Sequence, residues 1–234
     1  MQKLRPAKIR SALRRRWFEW RLARLPIEPG TPTVELGTPY GGWRIPEGVL
    51  GEGDICYCIG AGGDVSFDIE LVHRYGATVR AVDPVQAYED GALKEAAGDP
   101  RFSFRVVALA LRDGPIRMQP HHERSSGSLS AAGLYETQEW AEVPGLTLTT
   151  LMREFGDDHI NLLKLDLEGL EYELVPTLDL VALGVRVFAL QLHHVGSVAQ
   201  AMRLIEHLRS QGFSPVAQRP TVKLTFARPA PVER

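Results

Sequence analysis

The chain has 234 residues, 44% apolar and 24% charged, with a formal charge of −2, the balance of a soluble globular protein with one substantial core. No run approaches the roughly 20 apolar residues that cross a bilayer. The N-terminus also lacks the apolar stretch of a secretory signal, so a cytoplasmic protein is expected.

The charge is unevenly spread. Residues 1–25 carry nine Lys and Arg against the single acid Glu19, a local +8, so the rest of the chain sums to −10. Within this arm, "IRSALRRRWFEWRLARL" sets Ile9, Leu13, Trp17, Trp20 and Arg24 at helical spacing, which predicts a short amphipathic helix. Such a helix suits a peripheral membrane surface or an acidic partner, and equally a face packed on the protein itself. Nucleic acid is not expected as a partner, because the acidic remainder would repel a phosphate backbone. Pro26, Pro29 and Pro32 end the helix, and Thr31 to Gly53 reads as loop with short extended pieces such as "GGWRIP". Residues 1–50 are therefore expected to form an N-terminal extension, and residues 51–234 the folded domain.

From Asp54 the pattern alternates. Strands are predicted at 54–59, 78–83, 103–109, 160–166 and 185–193, and helices at 65–75, 86–97, 147–155, near Gly169 and at 197–211. Two last strands, near 214–218 and 222–227, are separated by "RPT" and read as an antiparallel hairpin closing one edge. Residues 114–146 read as the least regular region, with "HHERSSGSLS" as a loop whose His121, His122 and Glu123 are solvated or face a substrate. The fold class predicted is α/β, a three-layer Rossmann-like architecture around a mostly parallel seven-stranded sheet. Cys56 and Cys58, the only cysteines, lie two apart in "ICYCI" and are expected as small buried hydrophobes.

Gly60, Gly62 and Gly63 stand where the strand "ICYCI" hands over to a helix, so the backbone there can turn sharply and approach a ligand. A dinucleotide-binding turn would place a further glycine at position 65, which is Val65. Asp64, a candidate N-cap, would repel a pyrophosphate yet tolerate a cationic ligand such as a sulfonium. Asp83 ends the next strand, followed by Pro84, at a separation from Gly60 suited to accepting the hydroxyls of an adenosine ribose.

Four segments in order, "CIGAGGDVSFD" (58–68), "AVDP" (81–84), "LLKLDLEGLEYELV" (162–175) and "LQLHH" (190–194), give the chain a resemblance to class I S-adenosylmethionine-dependent methyltransferases. More narrowly, the chain resembles the FkbM family over about residues 40–215. The resemblance implies an O-methyltransferase acting on a hydroxyl of a small metabolite, natural product or glycan, with S-adenosyl-L-methionine as cofactor. It further implies a cofactor-facing set of Gly60, Ala61, Gly62, Asp64, Asp83, Pro84, Ala108 and Asp166. Two positions depart from the family pattern. Cys58 stands where an acid usually precedes the first glycine, and Gln191-Leu192-His193 replaces an expected E-x-H.

Lys164, Asp166 and Glu168 alternate, so a strand would project them to one face at its C-terminal end, where open α/β sheets bind ligands. Burying three charges there is costly unless they are paired, which marks either a site or an internal ion pair of Lys164 with an acid. Asp166 is the first candidate for contact near the reacting centre. His193 or His194 is the candidate proton acceptor, because an imidazole titrates near neutral pH. The catalytic set expected is thus Asp166, His193, Glu168 and Lys164, with no metal, although Glu168, Asp166 and His193 also suit a divalent ion. A non-catalytic nucleoside-binding or scaffold module, docked through the basic arm, is the alternative; it would have no need of these ionisable groups.

Overall fold

The computed structural model describes residues 6–120, 129–130 and 139–228. Helix α1 (Pro6–Leu22) is followed by a hairpin of β1 (Thr33–Leu36) and β2 (Trp43–Pro46). The alternating part then runs β3 (Ile55–Ile59), α2 (Ser66–Tyr75), β4 (Thr78–Asp83), α3 (Glu89–Glu95) and β5 (Phe102–Val106). Four short strands come next: β6 (Ala108–Leu109), β7 (Gly114–Pro120), β8 (Leu129–Ser130) and β9 (Ala141–Leu146). The chain continues with α4 (Leu148–Phe155), β10 (Leu162–Leu165), α5 (Glu171–Leu174), β11 (Val187–Gln191), α6 (Val198–Ser210), β12 (Ser214–Arg219) and β13 (Lys223–Ala227).

The main sheet has seven strands in the order β12-β13-β11-β10-β3-β4-β5. Only β13 runs against the others, between β11 and β12. The last two strands do form a hairpin, but its second strand lies inside the sheet and its first forms the edge.

Side chains alternate across the sheet, and the core divides accordingly. Cys56, Cys58 and Ala189 face a layer made by α2, α3 and the β1–β2 hairpin, including Phe67, Leu71, Leu36, Trp43 and Ile45. Tyr57, Ile59, Leu163 and Phe188 face α4, α5 and α6 together with Phe18, Leu22 and Leu25 from the N-terminal arm. Both cysteines are free and fully buried, as expected, and burial lifts their thiols far above the ordinary range. A bidentate Arg80–Asp157 pair (2.9 and 3.0 Å), which also receives the Tyr57 hydroxyl at 2.8 Å, ties β4 to the end of α4.

Three expectations need correction. The strand expected at 103–109 breaks at Val107: its tail, β6, pairs with β9 in a separate four-stranded sheet of order β6-β9-β7-β8. That sheet occupies much of the region read as irregular; β7 and β9 pair with Pro115 opposite Pro144, a placement tolerated because β6 and β8 pair with these strands only at Gly145–Leu146 and Gln119–Pro120. The helix near Gly169 is a single turn, Glu171–Leu174, because Pro176 follows within a short 3-10 turn. Helix α1 carries the expected stripe, with Leu13, Trp17 and Trp20 exposed, and a second one, Phe18 and Leu22, that is buried; the side chain of Ile9 lies outside the described residues.

Candidate active site

The C-terminal ends of β3, β4, β10 and β11 open into a cavity of about 620 Å³, within the range of small-molecule sites. The turn after β3 forms its floor. Gly60 has φ +71°, and a Cβ there would stand 1.9 Å from the carbonyl oxygen of Asp166. The turns after β3 and β10 therefore meet backbone to backbone, a contact only glycine permits. Gly62, at φ +69°, has open space where a Cβ would be, so that space is left to the cavity. Lys164, buried in β10, donates from Nζ to the Gly60 carbonyl at 2.7 Å. It supports the turn and does not act as an ion-pair partner of Asp166 or Glu168.

Asp64 lines the cavity, but α2 begins at Ser66 with Val65 at the cap position. The Asp64 carboxylate instead accepts from the Ser66 amide (3.1 Å) and hydroxyl (2.5 Å), the Thr38 hydroxyl (2.5 Å) and the Gly41 amide (3.2 Å). Partial burial works to raise its pKa, yet these hydrogen bonds hold it below the usual range. It clamps the β1–β2 loop to the start of α2. Asp83, almost fully buried, accepts from the Gly62 amide and the Val85 amide, each at 2.9 Å. Burial raises its pKa, with the two amides and Lys164 opposing. Each of its oxygens retains a second lone pair, and the residue lines the cavity.

Beyond β10 and β11 lies a charged cluster. His193 donates from Nδ1 to Glu171 Oε1 (2.6 Å), while its Nε2 stands 3.3 Å from Glu168 Oε2 and 3.6 Å from Asp166 Oδ1. Burial alone would lower the His193 pKa; Glu171, Asp166 and Glu168 outweigh it and raise the pKa to about 9. At neutral pH the ring is therefore an imidazolium, not a group near its midpoint. Glu171 is fully buried, also accepts from the Leu167 amide at 3.1 Å, and its Oε2 has no hydrogen-bond partner among the described residues. Its role escaped sequence reasoning, although it is the last acid of "K-x-D-x-E-G-x-E". Glu168 holds φ +51°, and its carbonyl accepts from the Ser130 hydroxyl at 2.6 Å, which fastens the small sheet over the cluster.

Gly60, Ala61, Gly62, Asp64, Asp83, Pro84, Ala108, Lys164, Asp166, Glu168, His193 and His194 all line this one cavity. His121, His122 and Glu123 lie outside the described residues. Two further lining groups were not anticipated. Lys223, at the start of β13, donates to the Tyr40 carbonyl at 2.9 Å and lies over the Trp43 ring; burial lowers its pKa to about 8, with Asp166 opposing. Tyr88, from the turn before α3, packs beside Gly63. The only hint of Lys223 in the sequence was its place on the terminal hairpin, beside the strand ends. Asp166, Glu171 and His193 could also each offer one ligand atom to an ion, these atoms lying within 4.8 Å of one another.

No curated protein and no solved structure matches the chain. The family model described as "Methyltransferase FkbM domain" matches residues 54–215, a span that runs from the first strand of the main sheet into β12 and takes in the glycine turn, Asp83 and the carboxylate–histidine cluster. With that match over most of its length, the chain belongs to the FkbM methyltransferase family.

Proposed function

We propose that the protein is an S-adenosylmethionine-dependent O-methyltransferase acting on a hydroxyl of a small metabolite, natural product or glycan. The observation that carries this reading is the meeting, in one cavity, of an open glycine turn with a buried ribose-type acid and a histidine clasped by carboxylates. The residues fit the cofactor. Gly60, Ala61 and Gly62 would take its methionine portion, Asp83 its ribose hydroxyls, and Pro84 and Ala108 the surroundings of its base. The acids Asp83, Asp166 and Glu168 suit a cation and disfavour a pyrophosphate. When bound, the cofactor supplies an electrophilic methyl carbon.

The remaining work falls to the chain. In-line transfer demands alignment first, and the backbone contact of Gly60 with Asp166 fixes the two turns against each other. An acceptor hydroxyl must also lose its proton, which His193 Nε2 would take in its neutral form. Glu171 holds Nδ1, and Asp166 and Glu168 steady the imidazolium that results, the division of labour of a carboxylate–histidine pair.

The test is calorimetric titration with S-adenosylhomocysteine, followed by a search for methylated product. Asp83→Ala is expected to weaken binding by about 2–3 kcal/mol, the range of hydrogen bonds to a charged group. Unchanged affinity in a folded variant would remove the ribose assignment. A chelator is expected to leave turnover unchanged, because the proposed proton transfer runs through His193, held at Nδ1 by Glu171 Oε1, and draws on no ion. Loss of turnover restored by Mg²⁺ or Mn²⁺ would make Asp166, Glu171 and His193 metal ligands instead.

A further inference from the structure

Helix α1 carries two apolar stripes on opposite sides. At 100° per residue Phe18 and Leu22 point one way, and they are 2% and 1% exposed. Leu13, Trp17 and Trp20 fall on the far side and are 61%, 53% and 50% exposed. Each residue of this second stripe keeps half or more of its surface exposed. Arg16 and Arg21 flank it, and Arg24 lies along it with its guanidinium 3.8 Å from the centre of the Trp20 ring. Glu19, the single acid of the arm, is on the inner side and is bonded to Arg15 at 2.8 Å. The outer face thus presents two indoles and a leucine framed by arginines, with no carboxylate among them.

We propose that this outer face of α1 docks on an anionic lipid bilayer. Indole rings favour the boundary between headgroups and acyl chains, where an apolar body and a polar N–H are both accommodated. Arginines beside them meet the negative surface, and both terms add in an interfacial helix. The charge of the rest of the chain, −10 against +8 for residues 1–25, gives the docking a direction: the body is repelled and the helix attracted. A second copy of the chain suits the face less well, because two-fold pairing would set arginine rows against each other. The inner side of the same helix, through Arg15, Phe18 and Glu19, walls the cavity. A bilayer on the outer side therefore leaves the site itself unobstructed.

The test is co-sedimentation of the full chain with vesicles of phosphatidylcholine alone and of phosphatidylcholine mixed with phosphatidylglycerol. Removing the helix is unsuitable, since Phe18, Leu22 and Leu25 belong to the core. Binding is expected on the mixed vesicles only, and it should weaken as salt is raised. Trp17→Ala with Trp20→Ala should lower the partition constant by roughly tenfold or more, and Arg16→Glu with Arg21→Glu by roughly a hundredfold, both with unchanged circular dichroism and thermal midpoint. Absence of binding by the parent protein overturns the proposal, as does binding that the tryptophan pair does not diminish. So does sedimentation equilibrium showing a dimer that the same variants dissolve, which would give the face to a second copy. A fall in thermal midpoint without vesicle binding would mean that the chain covers its own stripe, and would equally end the proposal.

Discussion

Gly60 couples two turns that sequence separates by more than a hundred residues. A methyl group at this position meets a carbonyl oxygen, not a flexible side chain, and its φ of +71° is itself unfavourable for any other residue. Gly60→Ala is therefore expected to cost at least about 2 kcal/mol and to abolish S-adenosylhomocysteine binding, read by thermal unfolding and calorimetry; Gly62→Ala, with open space around it but φ +69°, should cost the backbone strain alone, about 1–2 kcal/mol, and weaken binding as well. His193 gives a second expectation. Its pKa is raised from 6.5 to about 9, so the folded state is favoured while the ring is charged. That stabilisation is complete below pH 6.5 and is lost as pH rises through 9, by a few kcal/mol in order of magnitude. Turnover runs the other way, because only the neutral ring accepts a proton: the rate should climb with pH toward about 9. Glu171→Gln removes the nearest negative charge, so the rising limb should shift to lower pH while the rate plateau falls by about 10–100-fold. A limb that stays in place would deny Glu171 its positioning role. Asp83 and Asp166 were legible because a strand end and a motif locate them. Glu171 was not, since it acts through a contact across β10 and β11 that spacing does not encode.

Helix α1 shows where periodicity stops being decisive. Both 13/17/20 and 18/22/25 repeat at helical intervals, so apolar spacing predicts a helix without saying which side is covered. Charge tips the choice: Arg16, Arg21 and Arg24 border the first stripe, and burying it would strand them, whereas the cations bordering Phe18, Leu22 and Leu25 find partners, Arg15 with Glu19 and Arg14 with the His194 carbonyl. The consequence is measurable. Leu22→Ala should lose about 2–5 kcal/mol by urea unfolding, while Trp17→Ala should stay within about 0.5 kcal/mol; equal losses would mean the outer stripe is packed as well. The alternating strands and helices of the main sheet were readable for the opposite reason. Runs such as "ICYCI" and "VFALQ" are apolar on both faces and bounded by glycine or polar turns. The small sheet was hidden because "GPIRMQP" and "AEVPGL" each contain proline and glycine, which mark loops in most contexts. Here pairing of β7 with β9 overrides that local preference.

Across the whole molecule, both faces of the main sheet are completed by residues that precede Asp54. Phe18 and Leu22 close one face, and Leu36, Trp43 and Ile45 close the other. The hairpin also reaches the site: Thr38 and Gly41 hold Asp64, and Lys223 donates back to the Tyr40 carbonyl. The family match begins only at residue 54, and the composition of residues 1–50 invites their removal as an appendage. The magnitudes argue otherwise. Five large apolar side chains, each 2% exposed or less, represent roughly 7–15 kcal/mol at 1.5–3 kcal/mol apiece. A domain of this kind holds only about 5–15 kcal/mol in total. A fragment of residues 51–234 should therefore lack a cooperative urea transition and bind a hydrophobic dye, whereas a fragment beginning at residue 13 should unfold within about 1 kcal/mol of the full chain, because all five side chains remain. A cooperative transition of the shorter fragment at nearly the parent midpoint would show that the sheet carries its own core, and that the N-terminal hairpin and helix merely rest on it.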